Sequence, residues 1–370
     1  MKILQIINNL GSGGAEKLLE DLAPILNQYD DVACDILLLT DKGNVFHESL
    51  LKKGVSIDVV PFKNIYNPLN IFKIAKYIKT GNYDIVHSHL FPTQYWVALA
   101  QKLLKSKKTK FLTTEHSTNN RRRGKCYFKP VERYIYSSYD KIVCITDEVR
   151  SNLVRWLAPE EADLGKYVVI NNGVNIEKIK NASPYKKNEI LPGFTENTKL
   201  ICMVGRFSKA KDQKTLIKAM SFLPENVHLL LIGEGPLRES CEEFSNGLNL
   251  TERIHFLGFR NDVANILKTS DVTVLSSHWE GLSIASIEAM AAEKPFVASK
   301  VPGLEDMVYG HGLLFEEGNS KELANIIAAL LDDNDYYNDI AKKCSNRAND
   351  FGIDRMANLS LSAYNELLSI

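Results

Sequence analysis

Short apolar segments alternate with amphipathic segments along the chain. Residues 2–8 (KILQIIN) form an apolar run of strand length, and the leucines that follow at positions 18, 19, 22 and 26 have helical spacing. The same alternation predicts further strands in the first half at residues 33–39, 56–61, 83–87, 110–114, 140–146 and 167–171. Helices are predicted between them at residues 68–79, 93–104 and 147–157. Strands that alternate with helices are typical of α/β folds with parallel sheets.

The second half repeats this pattern. Strands are predicted at residues 199–204, 228–232, 253–256, 271–276, 297–299 and 312–315, with helices at 284–292 and at about 354–368. Between the halves, an Asn172-Gly173 turn signal precedes a polar, lysine-rich stretch that extends to Thr198. Because 370 residues are too many for one typical domain, we expect two domains of similar size.

Charge is balanced overall but uneven along the chain. There are 45 Lys and Arg residues and 45 Asp and Glu residues, and no RNA-binding motif is present, so a nucleic-acid partner is not expected. Residues 97–141 hold twelve Lys or Arg and three acidic residues, a local net charge of +9. A basic run of Arg121, Arg122 and Arg123 lies there beside aromatic residues. Such a run is usually a solvated surface, but it can also contact an anionic acceptor or an anionic membrane surface.

The chain carries no feature that predicts export or membrane insertion. Its first apolar run is too short for the core of a signal peptide, and no stretch of about 18 consecutive apolar residues occurs. The six cysteines include no C-x-x-C pair, and several lie in apolar, strand-like runs. We therefore expect reduced, buried thiols rather than disulfides or a zinc site, in a cytoplasmic protein.

Two glutamates, Glu280 and Glu288, are separated by seven residues. Glu280 follows a predicted strand, and Glu288 lies about two turns further on in a predicted helix, for which Ser283 or Ser286 is a candidate N-cap. A carboxylate in the loop can accept hydrogen bonds from sugar hydroxyls, and one on the helix can accept them from a ribose, while amides of the first helical turn can face a phosphate. Taken alone, such a pair is more often two solvated glutamates on an ordinary helix.

Glycine-rich or basic turns follow several predicted strands. Gly13 and Gly14 lie after the first strand, where they allow backbone amides to approach a phosphate or a sugar. The spacing there is not G-x-G-x-x-G, so a dinucleotide site is disfavoured. Arg206 and Lys211 follow the first strand of the second half, and an arginine fork with a lysine point charge suits a diphosphate. Gly235 lies in the next turn, Gly-Glu-Gly-Pro.

Histidines occur at the ends of two neighbouring predicted strands. His87 and His89 end one, and His116 follows the other. Parallel sheets bind ligands at the carboxyl ends of their strands, so His116 is a candidate sugar contact, although a lone histidine is most often structural. A metal site is disfavoured because no third ligand accompanies His87 and His89. No convincing D-x-D metal motif is present, since residues 333–335 (DND) lie in a late polar segment.

In order along the chain, these segments resemble the motifs of glycosyltransferase family 4, a family of retaining GT-B enzymes. The matching segments are GGAE at 13–16, TEHS at 114–117, G-R-x4-K at 205–211, G-x-G-P at 233–236 and E-x7-E at 280–288. The resemblance implies an α/β, GT-B fold with two Rossmann-like domains that face each other across a cleft. Residues 1–180 would be the acceptor-binding domain and 181–353 the nucleotide-sugar-binding domain, with a crossover helix, residues 354–370, that returns to the first domain.

The resemblance also implies which residues form the site. Catalytic roles are implied for Glu280, His116, Arg206 and Lys211. Donor binding is implied for Gly13, Gly14, Arg206, Lys211, Gly235, Phe259, Glu280, Gly281, Leu282, Ser283 and Glu288. Acceptor binding is the hypothesis for His89, Arg121, Arg122 and Arg123. No cofactor and no metal are expected, because fixed cations can neutralise the departing diphosphate.

The activity that the resemblance implies is retaining, metal-independent transfer of a sugar from a nucleotide-sugar donor, with UDP favoured, to an acceptor hydroxyl. The setting would be surface polysaccharide or glycolipid assembly, in a cytoplasmic enzyme that can attach to the inner face of the membrane. Two alternatives stay open: a nucleotide-sugar epimerase of the same fold, which needs no acceptor, and a non-catalytic sugar-nucleotide-binding protein. Three residues, Pro302, Asp306 and Ser283, differ from those frequent in the family. These differences bear on which sugar hydroxyls are recognised and not on the class of enzyme.

Overall fold

The described part of the protein forms two compact units. The computed structural model describes residues 1–104, 108–117, 122–123 and 125–369. The first unit consists of Met1–Gly173 together with the segment that starts at Ile353, and the second consists of Val174–Gly352.

The first unit is built on a parallel sheet. Its strands are β1 (Lys2–Ile7), β2 (Ala33–Leu38), β3 (Ile57–Val59), β4 (Ile85–His89), β5 (Lys110–Glu115), β6 (Lys141–Cys144) and β7 (Tyr167–Val169), in the order β3-β2-β1-β4-β5-β6-β7. Its helices, before the chain leaves for the second unit, are α1 (Gly14–Leu26), α2 (His47–Lys52), α3 (Asn70–Gly81), α4 (Thr93–Leu104), α5 (Phe128–Tyr136) and α6 (Asp147–Leu157). A 3-10 helix at Glu161–Lys166 precedes β7.

The second unit repeats the same kind of sheet. Its strands are β8 (Lys199–Val204), β9 (Val227–Ile232), β10 (Ile254–Gly258), β11 (Val272–Leu275), β12 (Phe296–Ser299) and β13 (Leu313–Phe315), in the order β10-β9-β8-β11-β12-β13. Its helices are α7 (Ile176–Lys180), α8 (Lys187–Ile190), α9 (Gln213–Ala219), α10 (Arg238–Gly247), α11 (Val263–Thr269), α12 (Ile284–Ala291), α13 (Glu305–Val308), α14 (Ser320–Asp332) and α15 (Asn334–Ala348). The paired strands of both sheets are parallel, which confirms the predicted α/β class with two Rossmann-like units.

The last helix, α16 (Ile353–Leu368), belongs to the first unit, where it packs against α1. Its buried face includes Leu361 and Tyr364, while Leu359 on the other face is exposed. This arrangement confirms the prediction that the final helix returns to the first domain.

Continuous apolar strands mark the centre of each sheet. Leu200, Ile201 and Met203 of β8 are at most 1% exposed although they are near neighbours in sequence. Side chains alternate between the two faces of a strand, so both faces of this sheet are covered. Parallel sheets with helices on both faces require such runs, which is why the sequence signal for these strands was strong.

Aspartates fix the register of neighbouring strands. The carboxylate of Asp84, which precedes β4, accepts a hydrogen bond from the backbone N–H of Lys2 in β1 at 2.8 Å. In the second unit the carboxylate of Asp271, which precedes β11, accepts from the backbone N–H of Leu200 in β8 at 2.8 Å. The pairs β1–β4 and β8–β11 occupy the same place in the strand order of their units. The register of this central strand pair is therefore fixed in both units by a hydrogen bond from a backbone N–H to an aspartate.

The boundary between the units lies earlier than the sequence analysis placed it. The structure divides the chain after Gly173, whereas the predicted first domain ended at residue 180. The difference arises because α7 packs against α11 and α12 of the second unit, and the backbone N–H of Val174 donates to the carbonyl of Phe351. The polar composition of this stretch suggested a linker, but its Ile176 and Ile179 are buried.

Several short helices were not predicted, and α5 matters most for the site. Its segment was interpreted as aromatic residues that follow a basic run. In the structure it is a helix whose inner face carries Glu132, Ile135 and Tyr136, all buried. Within the described residues, no helix combines the length and the apolar character that are needed to cross a membrane.

Candidate functional site

The two loops that carry the predicted donor motifs lie side by side in the second unit. The strand order reverses between β8 and β11, so the chain leaves these neighbouring strands in opposite directions. Open α/β sheets bind ligands outside the carboxyl ends of their strands at this point of reversal. The loop after β8 contains Arg206 and Lys211, and the loop after β11 contains Glu280.

An ion pair joins these two loops. Nζ of Lys211 lies 2.5 Å from Oε1 of Glu280, and the hydroxyl of Ser277 donates to the same oxygen at 2.6 Å. The side chains of Lys211 and Glu280 are only 16% and 11% exposed, so solvent screens their attraction less than it would at an open surface. Two residues that are far apart in sequence are therefore held together at one position. Ser277 was not among the residues predicted from the sequence.

Further hydrogen bonds hold the two loops together. The backbone N–H of His278 donates to the carbonyl of Ala210 at 2.8 Å, and the hydroxyl of Ser276 donates to the carbonyl of Asp212 at 2.9 Å. His278 also contacts Glu317 through Nδ1 at 2.5 Å. The geometry of the Lys211–Glu280 pair thus depends on main-chain contacts as well as on the two charges.

Two glycines allow close backbone approach around this pair. Gly235 has φ +158°, and a Cβ there would lie 2.3 Å from the carbonyl oxygen of Phe207. Gly303 has φ +82°, and its Cβ would lie 2.4 Å from the carbonyl oxygen of Gly281. A side chain at either position would force these loops apart. Gly235 was predicted to belong to the donor site, whereas Gly303 was given no role, although the Pro302-Gly303 dipeptide was a usable turn signal.

The remaining donor residues of the second unit lie on the same loops or next to them. Arg206 is exposed, and its carbonyl accepts a hydrogen bond from the side chain of Gln213 at 3.1 Å. Phe259 follows β10, and Gly281, Leu282 and Ser283 lead into α12, which carries Glu288. Ser283 is the N-cap residue of α12 but makes no capping bond with its side chain, and the hydroxyl of Ser286 donates back to the Ser283 carbonyl at 2.7 Å. Neither serine therefore caps the helix as predicted.

The first unit has the same kind of strand reversal, between β1 and β4. The side chain of Asn8 donates to the carbonyl of Phe91 at 2.9 Å and accepts from the hydroxyl of Thr93 at 2.7 Å, which joins the loops after these strands. Gly13 is the N-cap residue of α1, and the helix begins at Gly14. A Cβ on Gly13 would lie 2.3 Å from the carboxylate of Glu16, so the side chain of Glu16 covers this end of the helix.

The predicted histidines form one cluster at the end of β4 and β5. Nε2 of His116 lies 3.0 Å from Nδ1 of His89, and the rings of His87 and His89 are stacked with centroids 4.5 Å apart. Burial lowers the pKa of His116 to about 4 and that of His87 to about 3, and it holds the pKa of His89 well below its usual range. All three rings are therefore neutral at physiological pH. No group of three or more His, Cys, Asp or Glu side chains suits a metal ion in the described part of the chain.

The basic run of the first unit is less exposed than the sequence suggested. Nε of Arg122 donates to the fully buried carboxylate of Glu132 at 2.7 Å, and that carboxylate also accepts from Tyr95 and Trp156. Arg123 lies 3.1 Å from the carboxylate of Glu115, with both side chains 8% exposed.

Arg122 and Arg123 therefore do not form the solvated surface that is usual for such a run, because α5 and β5 supply buried carboxylates that pair with them. Their predicted contact with an acceptor stays a prediction, as does that of Arg121, which lies outside the described residues.

Two protein families match the sequence, one in each half. The family described as Glycosyltransferase Family 4 matches residues 12–178. The family described as Glycosyl transferases group 1 matches residues 186–348. Between them the two matches contain most of the predicted site residues of both units.

Similar proteins match over most of their length. The UDP-Gal:alpha-D-GlcNAc-diphosphoundecaprenol alpha-1,3-galactosyltransferase of Escherichia coli is 28% identical over 329 residues, 85% of this chain and 82% of that protein. An uncharacterized glycosyltransferase of Methanocaldococcus jannaschii, MJ1178, is 30% identical over 294 residues, 75% and 76% of the two chains. The crystal structure of Anabaena HepE in complex with UDP-glucose is 22% identical, with a TM-score of 0.84 over 100% of this chain and 99% of that one. At this identity the structural likeness concerns the fold.

Proposed function

The chain belongs to glycosyltransferase family 4, with a group 1 glycosyltransferase domain in its second half, and from this premise we propose a specific reaction. The protein is a GT-B glycosyltransferase that takes its sugar from a nucleotide donor. The donor is a UDP-sugar, the anomeric configuration is retained, no metal takes part, and the acceptor is a hydroxyl of a lipid-linked glycan. The name of the Escherichia coli relative, which uses UDP-Gal and a diphosphoundecaprenol-linked sugar, supports this choice of donor and acceptor.

The observation that carries the proposal is the Lys211–Glu280 pair where the strand order of the second sheet reverses. An ammonium group has three N–H donors, so Lys211 can hold Glu280 and a donor diphosphate together. Arg206, exposed on the same loop, supplies a planar fork for the phosphate oxygens. These fixed cations would stabilise the negative charge that develops on the diphosphate as the glycosidic bond breaks.

Glu280 and Glu288 have separate proposed roles. Glu280, held in place by Lys211 and Ser277, accepts hydrogen bonds from sugar hydroxyls and stabilises the cationic character of the sugar in the transition state. Glu288 on α12 binds the ribose hydroxyls. The amides at the start of α12 face a phosphate, a role for which the missing side-chain cap at Ser283 leaves room. The donor roles of Gly13, Gly14 and His116 stay predictions.

The first unit also offers a surface suited to an anionic membrane. Tyr127, Val131 and Tyr134 are 62%, 45% and 53% exposed along α5 and the residue before it, at the spacing of one helical face. Nζ of Lys102 lies 4.1 Å from the ring centroid of Tyr134. Aromatic and apolar side chains beside lysines are typical of helices that lie in a membrane interface. We assign this face, rather than Arg122 and Arg123, to contact with the membrane that carries the acceptor.

Product analysis tests the reaction as a whole. With a UDP-sugar and a diphosphate-linked lipid glycan as acceptor, we expect transfer with the donor's anomeric configuration, measured by NMR of the product, and unchanged rates in EDTA. An inverted product or a rate abolished by EDTA would contradict the retaining, metal-independent mechanism. Release of nucleotide and an epimerised sugar without acceptor would identify an epimerase, and binding without turnover on any acceptor would indicate a non-catalytic protein.

Replacing the cations of the loop after β8 tests the diphosphate assignment. Lys211→Met keeps the aliphatic stem that packs on Gly205 and removes the charge. We expect this variant and Arg206→Ala to lower kcat/KM by roughly tenfold to a thousandfold, because both lose transition-state stabilisation. Lys209→Ala, an exposed lysine of the same loop, is the control and should change kcat/KM by less than about twofold. Near-normal turnover in both Lys211→Met and Arg206→Ala would contradict the assignment of these cations to the diphosphate.

Vesicle co-sedimentation tests the membrane face. The protein should bind vesicles that contain anionic lipid more strongly than neutral vesicles, and Val131→Asp should weaken that binding because a carboxylate opposes both apolar burial and the negative surface. The control is Tyr309→Asp, which places the same charge at a 76% exposed aromatic position of the second unit. Equal loss in both variants, or no loss in Val131→Asp, would contradict the assignment.

A further inference from the structure

A chain of hydrogen bonds leads from His116 into the core of the first unit. Nε2 of His116 lies 3.0 Å from Nδ1 of His89, and Nε2 of His89 lies 2.8 Å from Oε1 of Gln5. Gln5 and His89 are 0% and 1% exposed, so solvent does not compete for these bonds. His116 is partly exposed, and its Nδ1 has no hydrogen-bond partner within the part of the chain that the structure describes.

The amide of Gln5 decides which nitrogen of each ring carries a proton. Its Nε2 donates to the hydroxyl of Tyr364 at 3.3 Å, and its Oε1 is the atom that faces His89, 2.8 Å from Nε2 of that ring. An amide oxygen only accepts, and the neutral His89 ring must therefore carry its proton on Nε2 and accept through Nδ1. His116 then donates from Nε2, and its own Nδ1 keeps a lone pair.

The second branch of the network agrees with this assignment of protons. Having accepted from Gln5, the hydroxyl of Tyr364 donates to Nδ1 of His87 at 2.7 Å. Nε2 of His87 then donates to the hydroxyl of Thr114 at 2.7 Å. In this arrangement each imidazole ring carries a single N–H proton and is neutral. Burial lowers the pKa of each of the three histidines, which favours the neutral form. The donor and acceptor roles in the two branches are thus compatible with one another.

We infer that Gln5 and His89 are positioning residues that hold His116 as the Nε2–H tautomer, with Nδ1 as a hydrogen-bond acceptor for a hydroxyl of the donor sugar. The inference rests on the proposed function and on the prediction that His116 contacts that sugar. Gln5 and His89 act through His116 and do not themselves touch the reacting atoms. This assignment defines the class of ligand, because the group that contacts Nδ1 must donate a hydrogen bond. A hydroxyl or an amine can donate one, and a carboxylate cannot.

The tautomer can be measured without substrate. In protein labelled with nitrogen-15 histidine, long-range proton–nitrogen correlation at neutral pH should show His116 protonated on Nε2 and unprotonated on Nδ1, with His116→Ala used to assign the signals. Gln5→Met removes the amide oxygen and should give a mixture of His116 tautomers. A wild-type His116 protonated on Nδ1, or an unchanged tautomer in folded Gln5→Met, would overturn the inference.

Two substitutions of equal shape separate positioning from packing. Asn at position 89 places an amide oxygen where Nδ1 of the imidazole stands, whereas Leu has the same branching and no acceptor. We expect kcat/KM to be roughly tenfold or more lower in His89→Leu than in His89→Asn, a loss of the size seen when hydrogen-bond partners of metal-ligating histidines are replaced. Equal losses in the two variants would mean that His89 only fills space, which would overturn its positioning role.

The same substitution in a background without His116 completes the test. If His89 acts through His116, His89→Leu should lower kcat/KM much less in His116→Ala than in the wild type. An equal fall in both backgrounds would overturn the inference. Failure of the proposed function would look different, because the wild type would then show the expected tautomer and no sugar transfer.

Discussion

The ion pair between Lys211 and Glu280 is the interaction on which the account of the second unit depends. The two residues come from loops that leave neighbouring parallel strands in opposite directions, and only the strand order β8-β11 brings them together. A lysine and a glutamate that are largely shielded from water hold each other in position, with Ser277 satisfying the same carboxylate oxygen. A site arranged in this way before the donor arrives needs little reorganisation when charge develops on the diphosphate.

The two units reach this kind of arrangement through the same backbone devices. Asp84 and Asp271 each set the register of the central strand pair through a backbone N–H of the neighbouring strand. The loops beyond those strands are then joined by polar side chains, through Asn8 in the first unit and through Ser276 in the second. The two units differ in the side chains that lie near the carboxyl ends of their strands. The first unit has neutral histidines there, and the second has a paired cation and anion.

Much of the fold could be predicted because local signals were strong. The buried central strands appear as apolar runs, and the donor motifs keep a spacing that the resemblance to family 4 identifies. Contacts between distant positions could not be predicted this way. Arg122 was assigned to an exposed basic run because its partner, Glu132, lies on a helix that the sequence analysis did not identify. Gln5 bonds to Tyr364 across most of the chain length, so no local pattern reveals it.

The most direct measurement of the central claim is stabilisation of the purified protein by nucleotides. UDP, GDP, ADP and NAD are compared by thermal denaturation, in the wild type and in Glu288→Ala. A ligand at about 100 times its Kd adds roughly 2.7 kcal/mol, which shifts the transition measurably. We expect stabilisation by UDP that is largely lost in Glu288→Ala. Stabilisation by NAD alone, or equal stabilisation of both proteins by UDP, would contradict the assignment of a nucleotide-sugar site to α12 and the loops beside it.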